Sequence, residues 1–358
     1  MTLRLLLVAP GRGSYTRREL GAIARLHAAT PGGAERLALA DTLRRKAGAP
    51  TISELDAAES YKAALHQAGE HASALIYTAA ALDRLAIDAL EQSGRARTVA
   101  CLGNSMGWYT ALHLGDVLDF EDAFTLVDEM GRRQEGRVLG GQILYPVVDE
   151  DWRHNADREA EVLSRLAEAR QRGDELWLSI RLGGSLVIAG AEGALEAFSR
   201  ELPPVELGRH RFPMRLLLHS AFHTPLMADA SRFAAALIAR LRWQAPRVPL
   251  IDGRGRIHHR GAQTDLTELS TWTGGAQVTD TFYFTAAVRV ALREFNPDRV
   301  VLLGPGSTLG SALARVMIAE GWRGIRSRDD FEQAQAGADR PLVAMGLEDQ
   351  RRDLLEAS

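Results

Sequence analysis

Apolar residues fall along the chain in two alternating rhythms. Arg4–Ala9 is a short unbroken run that ends in the turn Pro10-Gly11-Arg12-Gly13, and Thr98–Leu102 is another. Runs this short and continuous read as buried strands. Between them, over 57–93, Ala72, Leu75, Ala79, Leu82 and Leu85 recur at three- and four-residue spacing, the period of a helix. Asp119-Phe120-Glu121-Asp122 opens a further helix with Ala123, Leu126, Val127 and Met130 on one face. Near the far end, "DRVVLLGPGSTLG" repeats the strand–turn–helix pattern. Alternation of this kind predicts an α/β fold around a parallel sheet.

The rhythm changes near Gly136. "VLGGQILYPVV" reads as a strand and "DEDWRHNADREAEVLSRLAEARQRG" as an acidic-started, charged helix. "ELWLSIRL" and "SLVIAG" are strands joined by Gly183-Gly184 as a hairpin turn. "AEGALEAFSREL" is a second helix and "PVELGRHRF" a return strand. This is βαββαβ in about 75 residues, the ferredoxin-like order. The expected organisation is a large α/β-hydrolase-like domain, discontinuous over 1–137 and 212–358, with a small ferredoxin-like domain inserted at 138–211. The chain resumes with a helix at Thr224-Pro225, threonine as N-cap and proline at the first helical position.

Composition narrows the function classes. The chain has 358 residues and a net charge of −3, which argues against a dedicated nucleic-acid binder. One cysteine, Cys101, excludes an intramolecular disulfide and a cysteine-rich metal site. The apolar start "MTLRLLLVAPGRG" falls far short of the ~18 residues of a membrane span and lacks a small-residue cleavage site, so it reads as a first strand. A cytoplasmic monomer with no membrane or nucleic-acid partner and no metal is expected.

One stretch carries chemistry. "CLGNSMGWYTAL" places Gly103 and Gly107 two residues either side of Ser105, between an apolar run and a helix-like stretch. A strand turning sharply into a helix thrusts such a serine into a cleft, with glycines relieving the crowding. The same spacing also arises by chance in a glycine-rich chain. A nucleophilic serine needs a base within reach in space. Among ten histidines, His223 closes the apolar run "MRLLLHSAFH" just before a helix N-cap, where a side chain reaches a cleft. Taken alone it also fits a structural histidine, as His219, His258 and His259 do.

Together, "GNSMG" and "SAFHTPLM", with a ferredoxin-like insert between them, resemble the malonyl-CoA:acyl carrier protein transacylase family. "VAPGRGS" is similar to that family's "FPGQGS", and "DFEDAFTLVDEMG", "SLVIAG" and "LLGPGSTLG" match further segments in order, across about residues 3–320. The resemblance implies a serine–histidine pair. Ser105 would attack a thioester carbonyl, and His223 would act as base and then protonate the leaving thiol. Backbone N–H groups of Arg12 and Met106 would hold the oxyanion, and a carbonyl near Tyr283 or Phe284 would orient the imidazole. No cofactor is bound; the acyl group rides on the phosphopantetheine arm of a carrier protein.

The sequence also departs from that family. Aligning "LVDEMG" with the family's "LVEMRG" puts Met130 where family members hold the malonyl carboxylate with arginine. A register slip would bring Arg132 or Arg133 there instead, and Met130 equally fits the core stripe. Asn104 replaces a histidine beside the nucleophile, Arg12 a glutamine, and "SAFH" is neither usual selectivity signature; Met130, Asn104 and Phe222 are the expected acyl-pocket residues. The resemblance is greatest to stand-alone transacylases of macrolactam polyketide pathways. It implies transfer of an aminoacyl or dipeptidyl group from a discrete carrier protein to the loading carrier protein of a polyketide synthase. An editing hydrolase on carrier-bound thioesters and a malonyl- or acetyl-CoA transacylase are the alternatives. Arg153 and Arg299 are the expected docking residues for the acidic carrier, with Arg158 and the Arg254–Arg260 segment as further candidates.

Overall fold

The computed structural model describes residues 2–133 and 138–356. Residues 136 and 137, where the change of rhythm and the end of the first large-domain segment are predicted, lie outside these. Two sheets organise the molecule. The larger has six strands in the order β10-β9-β2-β1-β11-β12: β1 is Leu3–Ala9, β2 Ala96–Gly103, β9 Leu250–Ile251, β10 Ile257–His258, β11 Arg299–Leu302 and β12 Leu342–Ala344. All neighbours are parallel except β9 and β10. β1 lies inside the sheet, and Leu5 through Ala9 are wholly buried. A strand covered on both faces has no need of polar alternation, which is why its sequence is an unbroken apolar run.

Helices cover both faces. Gly69–Gln92 is the longest and buries residues around most of its circumference, as expected of a helix wedged between a sheet and outer helices. It packs against the Phe120–Arg132 helix, whose N-cap Asp119 accepts from the Asp122 amide. Their crossing is tight. A Cβ on Gly131 would stand 2.5 Å from the Gly69 carbonyl oxygen. That contact requires glycine at 131 and fixes the rotation of the helix that carries Met130.

The smaller sheet is antiparallel in the order β4-β5-β3-β8, with β3 at Gly141–Pro146, β4 at Leu176–Arg181, β5 at Ser185–Gly190 and β8 at Met214–Leu216. Helices Ala156–Gln171 and Glu192–Glu201 complete a ferredoxin-like unit. The fold is therefore α/β, with a large parallel-sheet body and a small ferredoxin-like one. One expected element differs. The segment read as a return strand is a separate hairpin, β6 at Val205–Leu207 paired with β7 at His210–Phe212. The strand that closes the small sheet is β8, beyond residue 211. A glycine with φ +62° at Gly208 turns the run back on itself, which apolar spacing does not reveal.

The small sheet has two different faces. Ile143, Tyr145, Leu186 and Ile188 face its own helices and form a separate core with Val162, Leu166, Leu195 and Phe198. Gln142 and Val187, on the alternate positions, face the large body. β4 breaks its alternation. Leu178 pairs with Ile188 and Ile180 with Val187, so Ser179 is a bulged residue. Ile180 then joins the large core.

The wall beside Met130 is braced by a buried cation. Arg44, with no exposed side-chain surface, donates to the carbonyls of Pro50 and Glu70 and contacts Asp128 Oδ1 at 2.5 Å and His71 Nδ1 at 2.9 Å. Burial pushes the Asp128 carboxyl up, and Arg44 opposes this. Arg44→Met leaves a buried carboxylate and two carbonyls without their donor, and should lower unfolding stability by about 3–5 kcal/mol. Arg44→Met with Asp128→Leu should recover most of that loss. Denaturant titration of the two variants measures both outcomes.

Candidate active site

β2 ends at Gly103 and the Gly107–Leu114 helix begins four residues later. Ser105 stands between them with φ +55°, a backbone geometry unusual for a residue with a side chain. The flanking glycines are required by contact. A Cβ on Gly103 would lie 2.0 Å from the Gly107 carbonyl oxygen, and one on Gly107 would lie 2.3 Å from that of Ala9. The Asn104 amide donates to Ala9 O at 3.0 Å, tying the elbow to the end of β1. The elbow thus closes onto the Pro10–Gly13 turn, where the backbone of Arg12 follows Gly11. A Cβ on Gly11 would be 2.9 Å from Asn104 O.

His223 approaches from the segment that follows β8, and its φ is +57°. Its Nε2 is 2.7 Å from Ser105 Oγ, and its Nδ1 is 2.8 Å from the carbonyl oxygen of Gln277. A carbonyl can only accept, so Nδ1 carries the proton and Nε2 accepts from the serine hydroxyl. The imidazole is buried, and burial lowers it to about 4, with the Gln277 carbonyl opposing the shift. The ring is therefore neutral near pH 7. The Phe282 ring packs against it, centroids 5.3 Å apart. Thr224 is the N-cap of the 3-10 turn Pro225–Met227 that opens the helix, with Pro225 at the first position as expected, and its hydroxyl donates to Ala221 O at 2.6 Å rather than to a helix amide.

The orienting carbonyl belongs to Gln277, in the short helix Ala276–Thr279, and not to Tyr283 or Phe284. Tyr283 is 40% exposed and its amide donates to Gly253 O. The Gln277 side chain also binds the site: Nε2 donates to Ser105 O at 3.2 Å, and Oε1 accepts from Tyr109 at 2.9 Å. No sequence pattern marks this residue, because any backbone carbonyl can do what its carbonyl does.

Two cavities meet at Ser105. The smaller, about 380 Å³, is walled by Val127, Met130, Leu226, Met227 and Val278, with His223 at its base. Arg12, Arg133 and Asp229 also reach it. The larger, about 1050 Å³, runs between the large body and the small sheet past Gln142, Trp152, His219 and Arg315. Arg12 and Phe222 line both. The Arg12 guanidinium lies over the Phe222 ring at 5.4 Å, donates to Leu218 O, and is lowered by burial to about 10. Met130 therefore lines the apolar cavity, as the Gly131 register implies, while the Arg133 guanidinium lies over Phe233. Asn104, expected in the same pocket, lines the larger cavity alone. Met106 is at the smaller cavity, just before the helix, where backbone N–H groups have no intrahelical partner.

The expected docking arginines divide. Arg153 is exposed, next to Trp152 on the rim of the larger cavity. Arg299 is not a rim residue. It is 6% exposed at the start of β11, and its guanidinium is held by Ala338 O and Asp339. Because β11 runs parallel to β1, that start lies at the opposite end of the sheet from the elbow. Arg158 donates to Val148 O, and Arg254 and Arg256 pair with Asp252 and Glu268. Among the described residues, no group of three or more acidic, histidine or cysteine side chains is placed to hold a metal, and no helix is long and apolar enough to cross a membrane.

No family model matches the chain. Over 223 residues, 61% of its length, it is 30% identical to the spectinabilin polyketide synthase system protein NorB of Streptomyces orinoci, of which it spans 9%. Over 220 residues, 60% of its length, it is 25% identical to the malonyl CoA-acyl carrier protein transacylase of Haemophilus influenzae, spanning 64% of that protein. The fold is shared from end to end with a malonyl-transacylase solved in complex with its type II polyketide synthase acyl carrier protein. There the TM-score is 0.73 at 18% identity, with both chains covered completely. The chain thus shares its fold from end to end with a solved malonyl-transacylase, and shares sequence over about three fifths of its length with a polyketide synthase protein and a malonyl CoA-acyl carrier protein transacylase, while spanning less than two thirds of the length of either relative.

Proposed function

We propose that this chain is an acyltransferase that passes an acyl group from one carrier-protein thiol to another through an acyl-Ser105 intermediate, in polyketide assembly. The observation that carries the reading is the 2.7 Å contact of Ser105 Oγ with a neutral, buried imidazole at the junction of two cavities. His223 Nε2 takes the hydroxyl proton as Oγ attacks the thioester carbonyl. The oxyanion forms against the amides of Arg12 and Met106. As it collapses, the C–S bond breaks and His223 returns the proton to the departing thiol. A second carrier thiol then reverses these steps and regenerates Ser105. The phosphopantetheine arm is bound covalently to the carrier, so no separate cofactor takes part.

The larger cavity suits the arm and the smaller one the acyl group. Met130 supplies no charge for a carboxylate, and about 380 Å³ is more than a malonyl group fills. A bulkier acyl group without a free carboxylate, aminoacyl or dipeptidyl, fits this wall. Malonyl is the second reading, because Arg12 and Arg133 also line the cavity. The solved likeness to a transacylase bound to its carrier supports a carrier protein as partner. Arg153, exposed beside the cavity-lining Trp152 and 3.8 Å from Asp151, is the docking cation of this reading.

Incubation with an acyl-loaded carrier should add one acyl mass to the protein and none to Ser105→Ala. His223→Ala should slow acylation by ~10²–10⁴. Transfer by Ser105→Ala, seen by intact mass, sinks the mechanism, and release of free acid in the presence of acceptor carrier identifies a hydrolase instead.

Across a panel of acyl carriers, neutral or amino-bearing groups should react faster than malonyl. Met130→Arg should reverse that order, since it places a cation where apolar atoms fit. Malonyl transfer as fast as any other group in the wild type favours the second reading.

The acid limb of the acylation rate should fall at about pH 4 rather than at the ordinary histidine value of 6.5, because the base must be neutral. His113 and His219 are also lowered by burial, to about 4 and about 3. Between 6.5 and those values the unfolded chain binds protons that the folded chain refuses, so stability falls as pH drops through that window. Thermal unfolding measured from pH 7 to pH 4 should show the decline.

A further inference from the structure

The catalytic reading leaves a buried polar chain unexplained. Ser179, the bulged residue of β4, is wholly buried, and Gln142 on β3 is 2% exposed. Ser179 Oγ donates to the carbonyl of Phe222, the residue before His223, at 2.8 Å, and accepts from Gln142 Nε2 at 2.8 Å. Gln142 Oε1 in turn accepts from His219 Nδ1 at 2.9 Å. The His219 ring meets Phe222 edge-on, at 5.9 Å. Each of these contacts has one donor and one acceptor, so the chain from the small sheet to the His223 segment is closed.

The same bulge grips His223 from a second side. The Ser179 carbonyl accepts from the Phe282 amide at 2.8 Å, and Arg181 N donates to Phe282 O at 3.0 Å. Phe282 is the ring packed, tilted, against the imidazole. Thus one residue holds, through its side chain, the peptide leading into His223 and, through its backbone, the aromatic wall behind the ring. A regular strand would leave residue 179 paired to β5. The extra residue bends the strand and turns this hydroxyl toward the seam.

We propose that Ser179 is a positioning residue for His223, coupling the placement of the small sheet to the 2.7 Å contact with Ser105. It touches neither substrate nor the reacting atoms. The proposal rests on the reading of Ser105 and His223 as nucleophile and base. Phe222 O and Gln142 Nε2 both lose their partner when the hydroxyl is removed, and a base displaced by a fraction of an ångström loses its line to the serine. The imidazole itself is faced by Ser105, the Gln277 carbonyl and the Phe282 ring; Arg12, Arg133 and Asp229 share its cavity wall, and His219 is the other titratable ring of its segment.

Ser179→Ala tests this in the full chain with a small acyl-pantetheine thioester, which removes carrier docking from the measurement. The maximal acylation rate should fall by roughly 10- to 100-fold, the range that misplacement of a catalytic group costs, with KM little changed. The acid limb should move up toward the ordinary histidine value as water reaches the ring. Ser179→Thr, which keeps the hydroxyl, should restore most of the rate, and Gln142→Met should cause a smaller loss. In a Ser105→Ala background, the His223 imidazole titration followed by NMR should move upward in Ser179→Ala. A lowered thermal midpoint with unchanged rate and unchanged His223 titration makes Ser179 merely structural and overturns the proposal. If Ser179→Ala does not fold, Gln142→Met alone decides, since an unchanged rate and titration there overturns the proposal as well. Failure of the wild type to acylate at Ser105 strikes the catalytic reading instead, and the NMR titration still reports on Ser179.

Discussion

The hydrogen bond from His223 Nδ1 to the Gln277 carbonyl decides which nitrogen faces Ser105. A buried imidazole holds one proton, and the carbonyl claims it. The other nitrogen is then an acceptor aimed at the serine hydroxyl. A carboxylate in the same place would favour the charged ring; a carbonyl orients the ring and leaves it neutral in the resting state. The remaining features of the site serve to keep this bond and its continuation to Ser105 in line. The Gln277 side chain reaches the Ser105 carbonyl, so the residue that orients the His223 ring also steadies Ser105.

Both members of the pair are held in left-handed backbone conformations. Such geometry persists where the surroundings over-determine it. For Ser105 they are the glycine contacts between β1, β2 and the following helix. For His223 they are hydrogen bonds from the small sheet and the packing of Phe282. Ser105 is thus fixed by the large body, while part of the support for His223 comes from the small one. The site occupies the seam because the two kinds of support are found together only there.

Much of this was legible in residues. The unbroken apolar run of β1 and the spacing of the Gly69–Gln92 helix follow from burial, which imposes a period on sequence. The elbow glycines were readable because steric exclusion leaves glycine as the only solution. The register of Met130 came from the resemblance, and the close contact of Gly131 with Gly69 gives it a steric cause. The carbonyl of Gln277 was not readable, since every residue owns one, and its selection depends on a fold that brings residue 277 to residue 223. Arg299 was misjudged because charge alone does not distinguish a rim from a buried strand end; its partners, Ala338 O and Asp339, lie about 40 residues away. The hairpin at 205–212 was read as one strand because a tight glycine turn interrupts no apolar pattern.

β1 has a consequence for the order of events during synthesis. It is made before either of its neighbours, since its two edges are completed by β2 and β11, and the latter begins at Arg299. Until then one side of an apolar strand has no permanent neighbour. Pairing across so much intervening chain is slow, because loop closure comes before any reward from contact. His223 and Gln277 also emerge before the strand that seals the sheet beneath them. A ribosome-bound fragment can therefore hold Ser105, His223 and the Gln277 carbonyl and still lack the sheet that gives them a common frame; their alignment arrives late and all at once.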